Sequence, residues 1–135
     1  MFTLKQQRLQ ESEERRGWII YLLYQRRPKP LTCTQVRRQL DALNLPTTRR
    51  TLAQELNYLR GLRLINLFPS DSDVELDRVA QSKLIQAFAD SESDRELLWK
   101  GTQGWVPCAR ITTAGENFQD AIGDGGNIPG ITRVE

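Results

Sequence analysis

Three polar side chains, Arg50, Gln54 and Asn57, follow one another at intervals of four and three residues, which places them on one face of a helix. The opposite face carries three leucines: Leu52, Leu56 and Leu59. In the major groove, arginine pairs with guanine O6 and N7, and glutamine or asparagine pairs with adenine N6 and N7. The pattern therefore predicts a helix that turns its leucines into a core and contacts the base edges of double-stranded DNA.

Further side chains around this helix are candidates for contacts to the phosphate backbone. Helix N-termini, hydroxyl groups and basic side chains are the usual donors to phosphate oxygens. The candidates are Thr47 and Thr48 at the start of the helix, Arg37 and Arg38 on the helix before it, and Lys29 further upstream. Arg49, on the flank of the base-contacting face, is also expected to contact DNA. With the three base-contacting residues they form the predicted DNA-binding set.

The positive charge of the chain is concentrated in its first half. Residues 1–63 contain 13 Lys and Arg against 5 Asp and Glu, whereas residues 64–135 contain 6 against 12. A basic region attracts a polyanion such as nucleic acid, which supports the DNA-binding interpretation. An alternative stays open, because amphipathic helices commonly turn charged residues to solvent with no ligand involved.

Several residue types that catalysis or metal binding would need are missing. The chain has no histidine, which excludes a histidine base, metal ligand or pH switch. Its two cysteines, Cys33 and Cys108, are too few for a zinc site or a disulfide framework and are expected to be small apolar fillers. Asp71, Asp73 and Asp77 lack the glycine and distal glutamate of a calcium loop. We therefore expect no enzyme activity, no cofactor and no metal.

Nothing in the sequence indicates a membrane or an export pathway. No apolar run approaches the roughly 18 residues that a membrane-spanning helix needs. The first 16 residues are too polar for a secretory signal. We therefore expect a cytoplasmic protein without a membrane partner.

Two helices are predicted upstream of the candidate DNA-binding helix. Apolar spacing predicts the first over residues 9–27, where Pro28 ends it. Thr32 and Gln35 have the spacing of a capping box, so a second helix is expected from Thr32 to about residue 43. These helices supply the apolar surface on which the third one must pack.

The candidate DNA-binding helix is predicted to start at Thr47 or Thr48 and to run through residue 60. Gly61 is expected to follow it as a left-handed residue. Residues 64–68 then alternate as a strand. Two helices joined by a short turn and followed by a strand predict a helix-turn-helix unit with a small β-hairpin.

The segment from residue 70 to residue 104 interrupts that hairpin. It holds eight acidic and three basic residues between Ser70 and Leu98, so we expect it to be repelled by phosphate. Residues 97–99 could begin a strand. One helical face is predicted from six apolar residues: Leu76, Val79, Ala80, Leu84, Ile85 and Phe88.

The chain is predicted to return to the hairpin after the insertion. Residues 105–111 are expected to form a strand at a sheet edge, because Pro107 lacks an N–H group. Thr113 and Glu116 have the spacing of a capping box for a short helix that extends through Ile122. Residues 123–135 are expected to be an irregular tail.

Three stretches of sequence are similar to a known superfamily. Residues 52–65 resemble the end of the recognition helix and the first wing strand of winged-helix bacterial repressors, and residues 109–116 resemble the exit from the wing. Residues 127–131 resemble the ends of small winged-helix proteins of Mu-like prophages, often labelled arsenic-repressor-like. The resemblance implies a winged-helix fold and a regulator of phage or prophage type in a bacterial cell or phage-infected host. The absence of a cysteine cluster separates this chain from metal-binding repressors.

Taken together, the sequence predicts one mainly α-helical winged helix-turn-helix domain over residues 1–135. Its core is expected at residues 9–69 and 105–122, with the acidic insertion as an extended, partly helical wing. The predicted function is regulation through binding of double-stranded DNA, with the third helix in the major groove. The protein is expected to be a homodimer whose copies meet through the first helix or the insertion's apolar face. The alternative is a winged-helix module for protein–protein interaction that acts through the acidic insertion.

Overall fold

The computed structural model describes residues 3–69, 76–94 and 107–135, and these residues are mainly helical with a small three-stranded antiparallel sheet. The predicted strand at residues 97–99 and the start of the strand at residue 105 lie outside the described residues. The helices are α1 (Leu4–Arg26), α2 (Cys33–Ala42), α3 (Arg49–Gly61), α4 (Arg78–Asp90) and α5 (Thr113–Gln119). The strands are β1 (Leu31–Thr32), β2 (Ile65–Pro69) and β3 (Pro107–Ile111).

Local hydrogen bonds explain where the first two helices begin. The predicted capping box at α2 is confirmed, because Gln35 N donates to Thr32 Oγ1 at 3.0 Å and Thr32 N donates to Gln35 Oε1 at 2.9 Å. The same reciprocal pair occurs between Thr3 and Gln6, so α1 begins at Leu4 and not at residue 9 as predicted. Thr3 and Gln6 have the same capping-box spacing in the sequence as Thr32 and Gln35, so the earlier start of α1 could have been predicted.

The third helix begins as predicted but ends differently. Thr48 is its N-cap and accepts a hydrogen bond from Thr51 N at 3.1 Å. The prediction that Gly61 is left-handed was wrong, since Gly61 is the last helical residue and Arg63 takes the left-handed conformation with φ 61°. Arg63 N donates to the Arg60 carbonyl and Leu64 N to the Leu59 carbonyl, which is the Schellman pattern.

The sheet has the strand order β1-β3-β2, so β3 is its central strand. This corrects the prediction of an edge position. Leu67 of β2 and Leu31 of β1 both pair with Ala109. Pro107 is tolerated because it is the first residue of β3, opposite Pro69, at the end of the ladder. The two-residue strand β1 had no detectable pattern in the sequence, because its pairing partner lies far along the chain.

A single apolar core joins the helices to the sheet. The leucine face of α3 is fully buried in it, as predicted: Leu52, Leu56 and Leu59. α1, α2, β2 and α5 contribute further buried side chains, among them Ile19, Ile20, Leu23, Leu40, Leu67 and Phe118. This core fixes α3 with its opposite side toward solvent, which is the requirement for any contact through that side.

The described part of the insertion is a helix that packs on α3. α4 buries Leu84, Ile85 and Phe88, as predicted, whereas Val79 is 64% exposed, which corrects its assignment to the buried face. The N-terminal end of α3 lies beside the C-terminal end of α4, because Arg49 Nε donates to the Phe88 carbonyl at 3.1 Å. At the other end, Arg60 Nη2 near the C-terminus of α3 donates to Ser82 in the first half of α4, so the two helices run antiparallel.

The last residues form an ordered segment against α1. The cap of α5 is Thr112, one residue before the predicted one, and the helix ends at Gln119, so Ile122 lies outside it. After a 3-10 turn at Gly123–Gly126, Thr132 N donates to the Glu13 carbonyl at 3.1 Å. We call residues 127–135 the C-terminal segment.

Candidate nucleic-acid interface

The solvent side of α3 carries a continuous polar stripe. Arg50, Gln54 and Asn57 are all exposed, as their helical spacing predicts, and the Arg50 side chain is 74% exposed. Tyr58 and Gly61 continue the exposed surface. We call these five residues the α3 stripe. It carries one cation and two side-chain amides, which can donate and accept hydrogen bonds toward base edges.

Helix α4 borders one side of the α3 stripe. The C-terminal residue of α4, Asp90, approaches Arg50 with 3.7 Å between a carboxylate oxygen and Nη2. Both side chains are more than half exposed, so this ion pair is weak and can be exchanged for another anion. At the other end of the stripe, Asn57 Oδ1 accepts a hydrogen bond from Arg60 Nη2 at 3.1 Å.

Arg49 lies inside the protein and not on the stripe. Its guanidinium group is stacked 3.9 Å from the ring centroid of Phe88 and donates to the Phe88 carbonyl and to Asp94 at 3.2 Å. Asp94 also accepts a hydrogen bond from the Thr34 hydroxyl. Arg49 is 7% exposed and therefore joins α2, α3 and α4 instead of reaching a phosphate. The helical wheel placed it on the flank, and α4 covers that flank.

The predicted phosphate contacts at the start of α3 divide into internal and exposed side chains. Thr47 is 4% exposed, accepts a hydrogen bond from Arg15 at 3.1 Å and donates to the Leu45 carbonyl at 2.7 Å. Arg37 is half-buried, with Nε donating to the Thr47 carbonyl at 2.7 Å. Thr47 is therefore committed to the turn between α2 and α3, and Arg37 braces the same turn.

The other candidates at this end are exposed. Thr48 caps α3 and its hydroxyl donates to Thr51 Oγ1 at 2.9 Å. Arg38 and Lys29 are both exposed. The structure thus brings Thr48, Arg38 and Lys29 to the surface, whereas the side chains of Thr47 and Arg49 are used internally.

On the other side of the α3 stripe, a buried ion pair connects α3 to α1. Arg16 Nε of α1 lies 2.7 Å from Glu55 Oε2, and both side chains are largely buried. The same guanidinium stacks 3.7 Å from the ring centroid of Tyr58 and donates to the Gly130 carbonyl at 3.0 Å. The C-terminal segment is thereby fastened to the edge of the stripe.

Basic side chains that the sequence-based set did not contain lie at the C-terminal end of α3. Arg60 and Arg78 line an open groove of 620 Å³ between α3 and α4, together with Lys83. The summed charge of the insertion concealed Arg78 and Lys83, although α4 itself contains two basic residues and one acidic residue, Asp90. Splitting that count by position along α4 would have revealed them.

The buried thiol of Cys33 gives no sign of reactivity. Burial raises its pKa, and the neighbouring Cys108 raises the pKa further. A reactive cysteine needs the opposite shift, because the thiolate is the nucleophile. Cys33 is 0% exposed and packs as a small apolar residue, in agreement with the prediction.

Neither a metal site nor a membrane-spanning helix occurs in the residues that the structure describes. Those residues hold no group of three His, Cys, Asp or Glu side chains placed to bind an ion. None of their helices is both long and apolar enough to cross a bilayer. In comparisons with known proteins, no family model, curated protein or solved structure matches the chain.

Proposed function

We propose that the chain is a winged-helix DNA-binding protein, a regulator of phage or prophage type, that inserts α3 into the major groove of double-stranded DNA. The observation that carries the proposal is the exposure of Arg50, Gln54 and Asn57 along one side of a helix whose opposite side is fully buried. The order of three helices, a strand and a later antiparallel strand supports the winged-helix part of the proposal.

The dimensions of the two helices determine how α3 can approach DNA. A major groove about 12 Å wide admits one helix, which with side chains is about 10–12 Å across. Packed helices lie about 8–10 Å apart, so α3 and α4 do not fit into one groove together. With α3 in the groove, α4 lies over the neighbouring phosphate backbone. The weak Arg50–Asp90 pair then opens, and Arg50 turns to a base.

We also propose that the protein acts as a homodimer. The N-terminal turns of α1 are exposed and carry two apolar side chains, Leu4 and Leu9, at 63% and 56% exposure. Pairing of these turns between two copies would present two α3 helices to the two halves of a palindromic site. Sizing the free protein by light scattering tests this part separately.

A titration of fluorescent random-sequence duplex DNA at several salt concentrations tests DNA binding. We expect binding to weaken steeply with salt, because each neutralised phosphate contributes about 0.9 to the log–log slope. After selection of preferred sequences from a random pool, Arg50→Ala should lose about 1–3 kcal/mol on the selected site and much less on random duplex. Asp90→Asn should bind more tightly than the wild type, since Arg50 is released from its carboxylate.

Arg26→Ala is the matched control for a lost positive charge, because Arg26 is exposed in the last turn of α1, away from the proposed dimer surface. Equal losses for Arg50→Ala on selected and random duplexes would mean that Arg50 contacts only phosphate. A wild-type chain that ignores duplex DNA even at low salt would refute the proposed function.

The second candidate function is a protein-interaction module that works through the insertion. The observation in its favour is the acidic end of α4, where Asp90 reaches across to the α3 stripe. In this case the chain would bind a basic protein partner and not DNA, and Asp90→Asn would weaken that binding. The opposite signs expected for Asp90→Asn distinguish the two functions.

A further inference from the structure

Four basic side chains surround the C-terminal end of α3. Arg60 and Arg78 both line two grooves, of 620 and 290 Å³. Lys83 lines the larger groove and Arg63 the smaller one. Among the described residues, no carboxylate lines either groove. The surface here is therefore cationic, although it belongs in part to a segment whose summed charge is acidic.

Arg60 is held in place and retains an unused donor. Its Nη1 donates to the Arg78 carbonyl at 3.3 Å, and its Nη2 donates to Ser82 and Asn57 at 3.1 Å each. Its Nε is buried and, within the described part of the chain, has no hydrogen-bond acceptor. Burial lowers the pKa of the Arg60 guanidinium, and the nearby charge of Arg78 lowers it further. An anion in the groove would relieve the repulsion between the two cations.

The cationic groove adjoins the α3 stripe. Asn57 belongs to the stripe and is hydrogen-bonded to Arg60, so the two surfaces share an edge. The groove is walled by α4, which must lie over a phosphate strand when α3 occupies the major groove. Arginine and lysine are the side chains that proteins use most for phosphate oxygens. The position of the groove and its basic side chains therefore both suit a phosphate of the DNA backbone.

We infer that the groove between α3 and the first half of α4 binds a backbone phosphate of the same duplex that α3 enters, with Arg78 and Lys83 as its exposed contacts. This inference rests on the proposed function and gives the protein a second point of contact with the duplex. It assigns DNA contact to a helix of the acidic insertion, which the charge of the segment as a whole predicts to be repelled. Asp90 lies at the opposite end of α4 from Arg78.

The test is the salt dependence of binding to random-sequence duplex DNA for the double variant Arg78→Gln/Lys83→Gln. Both side chains are exposed, so the variant should fold normally, which its thermal unfolding checks. We expect its log–log slope to fall by about 0.9, the contribution of one phosphate. The matched control is Arg26→Gln/Arg27→Gln, which removes two exposed charges from the C-terminal end of α1, outside the proposed dimer surface, and should keep the wild-type slope.

The outcomes separate this inference from the proposed function. A reduced slope in the Arg78/Lys83 variant alone supports the phosphate site. The same slope in both double variants, with strong binding by the wild type, overturns the phosphate site and leaves α3 as the DNA contact. A wild-type chain that does not bind duplex DNA at the lowest salt overturns both.

Discussion

Replacing Gly17 with alanine should detach the C-terminal segment from α1. An added Cβ at Gly17 would lie 1.7 Å from the Thr132 carbonyl oxygen and 2.8 Å from its carbon. Both are backbone atoms, so no side-chain rotation relieves the overlap. An ordinary C···O contact is about 3.3 Å or more, so the segment must move by about 1.5 Å. Gly17 is the residue that permits this close approach.

The expected loss of stability follows from the contacts that such a movement breaks. Thr132 N loses the Glu13 carbonyl and Arg16 loses the Gly130 carbonyl, at about 1 kcal/mol for each hydrogen bond. Partial exposure of Ile131 removes roughly 1 kcal/mol more. Alanine returns up to about 1 kcal/mol through its higher helix propensity. The net effect is a destabilisation of about 2 kcal/mol.

Urea unfolding followed by circular dichroism measures this difference, and Gly61→Ala is the matched control. A Cβ at Gly61 meets nothing within 4 Å, so the same substitution there should stabilise the protein by up to about 1 kcal/mol. In Gly17→Ala, trypsin should also cleave faster after Arg133, which is 26% exposed in the docked segment. Equal, stabilising effects at both glycines would refute the docking of the C-terminal segment on α1.

Two further substitutions test interior contacts. Arg49→Met should destabilise the protein by about 2 kcal/mol, because it removes the bonds to Phe88 and Asp94, whereas Arg38→Met at an exposed site should stay within about 0.5 kcal/mol in urea unfolding. The raised pKa of Cys33 means that the unfolded thiol ionises first, so its contribution to stability is present at neutral pH and is lost above about pH 8.5. Cys33→Ala should flatten that alkaline decline in a pH series of unfolding curves, and an unchanged slope would contradict the assignment.

Several local features of this protein could be predicted from the sequence alone. The caps at Thr32 and Thr48 depend on hydrogen bonds between residues three apart, and the leucine face of α3 depends on helical periodicity. Both kinds of signal lie within a few consecutive residues. The exposure of Arg50, Gln54 and Asn57 follows from the same periodicity once the leucines are buried.

Which residues pack against the flanks of α3 is apparent only from the tertiary structure. Arg49 is buried because residues of α4, far along the chain, cover its side of the helix, and Thr47 is buried because Arg15 of α1 reaches it. The central place of β3 likewise depends on β1, whose two residues carry no recognisable strand pattern. Periodicity along a segment determines which side of it is apolar. It contains no information about which distant surface packs against that side. That long-range packing determines which arginines of this protein are internal and which are exposed.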